Sequence, residues 1–435
     1  MTSSRHAALI GAIFALGHLS IAQGASATYK TLYNFTYAGD GAFPYITLAI
    51  GQHGSLYGAT QASPAVCGGS SACGIVFELK PPAVRGGAWT EATIYAFTNP
   101  AVAGLFANAL AIGANGQIYG TANNASPSAN GVVFRLTPPS SPGGAWTEST
   151  LYSFQGSPDG ASPNGVVIGK NGALYGTTSY GGPSLAGTVF KLAPPASPGG
   201  DWIETVLYAF AGVPDGANPA SGVIIGLNGV LYGTTHFGGT GGCQGFSGVT
   251  GCGAVFELKP PAVPSGPWTE SVIRSLVYGV DGGFPNAGVV QGANGAVYAI
   301  SPVGGQDFLG VPFELTPPSS PGDPWTETVL YNFHGQNSPS KVFATPVLGS
   351  NGALYNTSFD GGAAKLGVVF SLKPPSQPAT AWTEIPLYSF TADSGFHPSA
   401  GLSLGANGAL YGVTGQGGTS TACYQGCGTV FQLVP

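Results

Sequence analysis

Short apolar segments recur along this chain at a nearly constant spacing, and the stretch from Pro163 to Phe210 shows the repeating unit most clearly. It holds four runs, GVVIG, ALYGTT, GTVFKL and WIETVLYAF, each rich in β-branched and aromatic residues and bounded by Gly, Pro or Asn. Runs of this length and composition predict β-strands, and the unit contains no helix signal. The pattern therefore predicts an all-β protein with four strands per repeat.

The number of repeats predicts the fold. The second run carries a tyrosine in every copy, and successive tyrosines are 62, 56, 57, 66, 57 and 56 residues apart: Tyr57, Tyr119, Tyr175, Tyr232, Tyr298, Tyr355 and Tyr411. The third run agrees, ending at Leu79, Leu136, Leu192, Leu258, Leu315, Leu372 and Leu433. Four strands repeated in this way predict a seven-bladed β-propeller with four antiparallel strands per blade.

One copy of the fourth run is displaced. Its opening tryptophan occurs six times, at Trp89, Trp146, Trp202, Trp268, Trp325 and Trp382. The segment TYKTLYNF, from Thr28 to Phe35, matches the rest of that run and stands alone near the N-terminus, whereas the chain ends at Pro435 after its seventh third run. We expect this N-terminal strand to close the ring as the outermost strand of the last blade, since it would pair an edge otherwise left open.

The expected domains are a signal peptide over 1–27 and a single propeller over 28–435. Its blades are expected at about 44–97, 98–154, 155–210, 211–279, 280–333, 334–390 and 391–435, the last together with 28–35. The leader has Arg5 and His6, an apolar run from Ala7 to about Leu16, and small residues up to Ala27 for cleavage. An uncleaved anchor is the alternative, although the run is short for a membrane span.

Composition narrows the classes of partner. The 72 Gly and 36 Pro would suggest disorder without the repeat, but hydrophobic residues make up 43% of the chain. Charged residues are only 7% and the net charge is −6, so nothing attracts nucleic acid. We expect a secreted, periplasmic or cell-surface monomer with no membrane span in the mature chain and no cofactor.

The cysteines support export. They form three pairs, each within one loop just before the glycine that opens a third strand: Cys67 with Cys73, Cys243 with Cys252, and Cys423 with Cys427. Metal ligation and free thiols are alternatives, but no histidine accompanies each pair at zinc spacing. A secreted chain favours three local disulfides, one in each of three blades.

Some connections between strands have nearly the same sequence in every repeat, whereas others vary from repeat to repeat. Asn-Gly or His-Gly joins the first two strands of each repeat, and Pro-Pro follows the third. A DGxxP turn links blades, as at Asp40, Asp159, Asp215 and Asp281, with a variant at Asp393 to Pro398. If strands alternate in direction, the DGxxP turns and the xxGG and cysteine loops share one rim. Function more often lies where loops vary, which favours that rim.

The sequence resembles the GloVer-type tandem repeat of "choice-of-anchor" extracellular bacterial proteins over residues 28–435. The resemblance lies in the motifs LYGTTxxGG, GTVFxLxPP, WTExxLYxF and DGxxPxxG. The resemblance implies an exported propeller-like protein, often with a C-terminal surface anchor, and brings no catalytic residues. This chain ends on FQLVP, which favours release over attachment.

Candidate site residues are those outside the shared pattern. The binding candidates, all in or beside xxGG loops, are Tyr180, His236, Phe237, Asp307, Phe359 and Asp360, with Gln416 as a further singular residue. Aromatic rings beside polar groups suit sugars or a peptide, so a glycan or a cell-surface protein is the expected ligand. Packing within the loops is the alternative for each residue.

Catalysis is the second hypothesis. His236, His334 and His397 with Asp307 and Asp360 could meet at the central channel and act on a polysaccharide as a hydrolase or lyase, but no motif specifies their geometry. The DGxxP aspartates offer one carboxylate per turn, which is weak for calcium, and an Asx-type turn accounts for them better. No metal site is expected.

Overall fold

The computed structural model describes residues 27–63, 73–84, 86–97, 106–123, 130–141, 143–197, 199–244, 250–263, 266–320, 322–335, 337–376 and 381–435. The predicted signal peptide therefore lies, except for Ala27, outside the described residues, and so does Cys67. No helix long and apolar enough to cross a membrane occurs in the described part of the chain.

The described residues form seven antiparallel sheets arranged as a ring, which confirms the predicted seven-bladed β-propeller. In two blades the innermost strand is interrupted and forms two short segments. The innermost strands are β2 (Ala42–Pro44) and β3 (Ala49–Ile50), β7 (Phe106–Ile112), β11 (Ala161–Ile168), β15 (Gly216–Pro219) and β16 (Ile224–Ile225), β20 (Val290–Gln291), β24 (Val347–Leu348) and β28 (Ser403–Leu404).

The other three strands of each blade lie progressively further from the ring centre. The second strands are β4 (Leu56–Ala62), β8 (Ile118–Asn123), β12 (Leu174–Tyr180), β17 (Leu231–Gly238), β21 (Val297–Ser301), β25 (Leu354–Ser358) and β29 (Leu410–Thr414). The third strands are β5 (Ile75–Lys80), β9 (Val132–Thr137), β13 (Thr188–Ala193), β18 (Ala254–Lys259), β22 (Val311–Thr316), β26 (Val368–Lys373) and β30 (Thr429–Val434). The outermost strands are β6 (Thr90–Ala96), β10 (Thr147–Ser153), β14 (Ile203–Ala209), β19 (Thr269–Ser275), β23 (Thr326–Val329), β27 (Thr383–Ser389) and β1 (Thr28–Asn34).

The N-terminal strand closes the ring as predicted. β1 pairs antiparallel with β30, with Thr28 opposite Val434 and Asn34 opposite Thr429. Ala27 takes the place of the missing seventh tryptophan and packs in the core cluster that contains Tyr355. The first and last strands of the propeller therefore share one sheet, and β30 has no open edge.

Phenylalanines fill the contacts between blades. In six blades a Phe follows the outermost strand and packs edge-on against the Phe of the next blade's third strand, as Phe154 does on Phe190 with ring centres 5.0 Å apart. In blade four Leu276 takes this place, in the same core cluster as Phe313. Glycine in the second strand makes room for that ring: a Cβ on Gly176 would lie 2.6 Å from the Phe190 ring. The repeated LYG, VF and LYxF motifs thus specify one packing unit that recurs around the ring.

Tryptophans make a second set of contacts between blades. They lie at the start of the outermost strands, at the other end from the phenylalanines. Each of the six packs against the tyrosine of the preceding blade's second strand, as Trp146 does on Tyr57 with ring centres 6.3 Å apart. The same contact joins Trp89 of the first blade to Tyr411 of the last. Both repeated aromatic motifs therefore act between blades, which explains why they recur.

Aspartate carboxyl groups join the blades at four seams; Asp40, Asp159 and Asp281 are buried, and Asp215 is half-buried. The DGxxP aspartate accepts hydrogen bonds from a residue of the preceding outermost strand and from a nearby backbone N–H, as Asp159 does from the hydroxyl of Tyr152 (2.5 Å) and the N–H of Gln155 (2.9 Å). This N–H lies four residues earlier in the chain, so the predicted Asx-type turn is wrong. Through these hydrogen bonds the carboxylate connects the end of one blade to the start of the next.

A glutamate of the next blade faces each of these aspartates. Burial, and secondly the negative charge of the aspartate, raises the pKa of four such glutamates to about 7: Glu91, Glu204, Glu270 and Glu327. At the fourth seam Arg274 contacts both Asp281, which is fully buried, and Glu327, at 2.6 Å. Between pH 4.5 and 7 the seams therefore hold protons that the same glutamates would have released in the unfolded chain.

The two rims carry the connections that the sequence predicted. One cavity is lined by Phe43 of a DGxxP turn together with Gln416 of an xxGG loop, and another by Asn115 of an Asn-Gly turn together with Pro81 of a Pro-Pro segment. We call the edge with the DGxxP turns and the xxGG and cysteine loops the loop rim, and the opposite edge the turn rim.

Candidate binding rim

The loop rim presents one side chain per DGxxP-type turn in a strained backbone conformation. The second x of the turn, or in blade six the matching residue Lys341, has a left-handed φ of 52–58° in six blades: Phe43, Ser162, Asn218, Phe284, Lys341 and His397. In five of the six the N–H of this residue donates to the preceding blade, as Phe284 does to the carbonyl of Cys252 at 2.7 Å. Glycine or asparagine suits this conformation best, yet four of the six residues are bulky. This ring of side chains was missed by the sequence analysis, although the xx of the motif marked it.

A groove of about 680 Å³ lies on the loop rim between blades three and four. The predicted residues Tyr180, His236 and Phe237 all line it, together with Asn218 and Asn286. Tyr180 is 57% exposed, so its ring is available to a ligand. None of the described lining residues carries a carboxylate, an ammonium or a guanidinium group.

His236 is packed against aromatic rings within the groove. Its ring centre lies 4.5 Å from that of Phe237 and 5.6 Å from that of Phe284. Burial lowers its pKa below the usual 6.5, opposed in part by contacts with the Pro285 carbonyl and Asn286. His236 is therefore neutral at pH 7, and its imidazole can exchange hydrogen bonds with an uncharged ligand.

Hydrogen bonds hold the polar groups of the groove in place. The amide of Asn218 donates to the Ser179 carbonyl at 2.9 Å. The Ser179 hydroxyl in turn contacts Asn164 and the Pro219 carbonyl, each at 2.9 Å. These bonds connect blades three and four, so the groove is already formed without a ligand.

Phe359 and Asp360 belong to a different part of the loop rim, beside blade seven. Asp360 pairs with Lys341 at 2.7 Å and faces His397 at 3.7 Å. The His397 ring stacks on Phe359 with centres 4.3 Å apart, and its Nδ1 lies 3.1 Å from Gln416. A cavity of about 310 Å³ adjoins Phe359, His397 and Gln416.

The predicted convergence of histidines and acids is only partly present. Asp307 accepts a hydrogen bond from the Gly335 N–H at 3.2 Å, and His334 contacts Tyr331 at 3.3 Å. Among the described residues, the ion-pair contact of His397 with Asp360 is the one that joins a histidine to an acid. Both ring nitrogens of His397 face protein groups, which leaves neither directed at a ligand.

Disulfides stiffen the loop rim at two places. Cys243 is bonded to Cys252 and Cys423 to Cys427, which confirms two of the three predicted pairs. Cys73 is also disulfide-bonded, but its predicted partner Cys67 lies outside the described residues. In the part of the chain that the structure describes, no three His, Cys, Asp or Glu side chains are grouped to hold a metal ion.

Comparison with known proteins identifies the repeat. The family model named Gloeobacter/Verrucomicrobia repeat matches residues 106–337. No curated protein matches the sequence. Among solved structures, a putative 6-phosphogluconolactonase from Bacteroides uniformis is 16% identical over 80% of this chain and 86% of that chain, with a TM-score of 0.48. Trypanosoma rangeli sialidase is 10% identical over 94% and 59%, with a TM-score of 0.44. Similarities this low do not bear on ligand or activity.

Proposed function

The chain belongs to the Gloeobacter/Verrucomicrobia repeat family, and we propose that this member is an exported binding module whose loop rim holds extracellular carbohydrate. One observation carries the proposal. The groove between blades three and four combines the exposed ring of Tyr180 with fixed amide and imidazole groups and has no charged side chain. A flat apolar face beside hydrogen-bonding groups matches a neutral sugar ring.

Export rests on two supports. The N-terminal leader has the composition of a signal peptide, and the disulfides on the loop rim persist best in an oxidising compartment. N-terminal sequencing of protein recovered from the periplasm and the culture medium tests this. A mature chain starting near Thr28 supports export, whereas an intact leader on cytoplasmic protein contradicts it.

Binding is tested with purified mature protein and a glycan array. We expect Tyr180→Ala and the pair His236→Ala with Phe237→Ala to lose retention of whichever glycan the parent binds. The matched control is the pair Phe359→Ala with Asp360→Ala, at the equivalent loop positions of blade six. Melting temperatures are measured for all variants, so that loss of binding is separated from loss of fold. Undiminished retention by Tyr180→Ala and the His236 pair would refute this groove as the site.

A polysaccharide hydrolase or lyase is the second candidate function, and the ion pair of Asp360 with Lys341, whose side chains are 29% and 58% exposed, is the observation in its favour. Such enzymes need an acid and a base that can reach the substrate. Product analysis by mass spectrometry separates the two functions. Cleavage of the bound glycan that disappears in Asp360→Asn would establish the enzyme, whereas recovery of intact glycan supports binding alone.

A further inference from the structure

A second groove adjoins the first on the loop rim. It has a volume of about 500 Å³ and lies between blades four and five. The disulfide Cys243–Cys252, Gln244, Tyr278 and Phe284 line it. Phe284 also contacts Phe237 of the first groove, with ring centres 5.8 Å apart. The two grooves are therefore neighbours that meet at this pair of rings.

Aromatic rings continue outward from that meeting point. The Tyr278 ring centre lies 6.3 Å from that of Phe284, and the Phe308 ring centre lies 5.7 Å from that of Tyr278. We call Phe237, Phe284, Tyr278 and Phe308 the aromatic strip. Its rings follow one another across two blades. A single sugar unit needs only one aromatic ring to stack on, so the strip is longer than a single sugar requires.

Folding alone does not account for the outer half of the strip. Tyr278 is 50% exposed and Phe308 is 55% exposed, and Val277 and Val280 beside them are also exposed. Phe308 has a left-handed φ of 57°, at a loop position where blade three places Leu185 and blade six places Lys365 with similar φ. A polar residue would avoid exposing a ring there, and asparagine would tolerate the backbone better.

The charges around both grooves restrict the ligand. None of the described residues that line either groove is acidic or basic apart from the neutral His236. Anionic polymers such as uronic-acid chains would find no cation there. Gln244, Asn218 and Asn286 instead offer amides, which pair with hydroxyl groups.

We propose that the ligand is a linear, neutral polysaccharide that occupies the first groove and continues across the second groove along the aromatic strip as far as Phe308. This rests on the proposed carbohydrate function and adds two things to it: the polymeric, uncharged nature of the ligand and a second binding site that none of the sequence candidates marked. The disulfide Cys243–Cys252 holds the wall of that second site in a fixed position, which reduces the entropy lost on binding.

The experiment compares chain lengths. Native affinity gels containing hydroxyethyl cellulose, arabinoxylan, glucomannan or laminarin identify a retained neutral polymer, with polygalacturonate as the anionic comparison. Calorimetry then measures Kd for purified oligosaccharides of two to eight units from the retained polymer. We expect Kd to fall with length, and Phe308→Asn or Tyr278→Ala to weaken the longest oligosaccharide by about fivefold to tenfold while leaving the shortest unchanged.

Controls separate this proposal from the one on which it rests. Lys365→Asn, at the equivalent loop position of blade six, should change no Kd, and Tyr180→Ala should weaken short and long oligosaccharides alike. If Tyr180→Ala acts but Kd is independent of length, or Phe308→Asn and Tyr278→Ala have no effect, the second site is refuted and the first groove stands. If only polygalacturonate is retained, the neutral-ligand inference is overturned. If no polysaccharide is retained, both proposals fail.

Discussion

Deleting Thr28–Phe35 would open the ring at its closure, because these residues form β1 and the turn that follows it. β1 is the outermost strand of the last blade and pairs with β30 along its length. Without it the edge of β30 loses its partner. An unpaired edge strand of this kind templates association with other chains.

The loss of stability follows from what β1 buries. Phe35 is fully buried and Leu32 is 8% exposed, and burying each is worth roughly 1.5–3 kcal/mol. Tyr29 stacks on Tyr388 at 3.8 Å and Phe35 packs on Phe77 at 5.1 Å, each adding about 0.5–1.5 kcal/mol. The deletion should therefore remove on the order of 5 kcal/mol, a large part of the roughly 5–15 kcal/mol by which proteins are stable.

Calorimetry and size-exclusion chromatography with light scattering measure the outcome. We expect the melting temperature to fall by about 5–10 °C, with dimers or larger species appearing. A synthetic peptide of Thr28–Phe35 added in trans should restore both properties, because β1 would re-form as an added strand, whereas a scrambled peptide should not. A truncated protein that is as stable and monomeric as the parent would show that β1 does not hold the ring closed.

Three further predictions concern the blades and their seams. Reducing the two described disulfides, which span 9 and 4 residues, should cost about 2 kcal/mol each and leave the ring folded by circular dichroism; global unfolding would contradict this. Because the seam glutamates have a folded pKa of about 7 against the usual 4.5, their contribution to stability is complete below pH 4.5 and is lost as pH rises through 7. Glu204→Gln should accordingly raise the urea midpoint at pH 8 and leave it unchanged at pH 4, and an equal effect at both would refute the proton linkage. Gly176→Ala should cost roughly 1–3 kcal/mol, since its Cβ would lie 2.6 Å from the Phe190 ring and 2.4 Å from the Gly165 carbonyl; an unchanged melting temperature would mean that the seam can expand.

The amino-acid sequence by itself determined the fold, the number of blades and the ring closure. Strand runs, Asn-Gly and Pro-Pro turns and the aromatic motifs are local signals that recur in the repeats. A departure from the pattern in one repeat therefore does not change the number of blades that is predicted. The displaced strand was visible because Thr28–Phe35 matches a run whose seventh copy is absent. Pairing within single loops likewise predicted the two disulfides that the structure describes.

Only the tertiary structure decided which variable residues meet. Tyr180 and His236 belong to different blades and share one groove, whereas Asp307 bonds Gly335 and Asp360 pairs with Lys341. The aromatic strip from Phe237 to Phe308 was also invisible in the sequence. The physical reason is that these contacts depend on how each sheet is rotated against the next. Local periodicity records where a strand runs, but the packing between blades sets which loop tips come together.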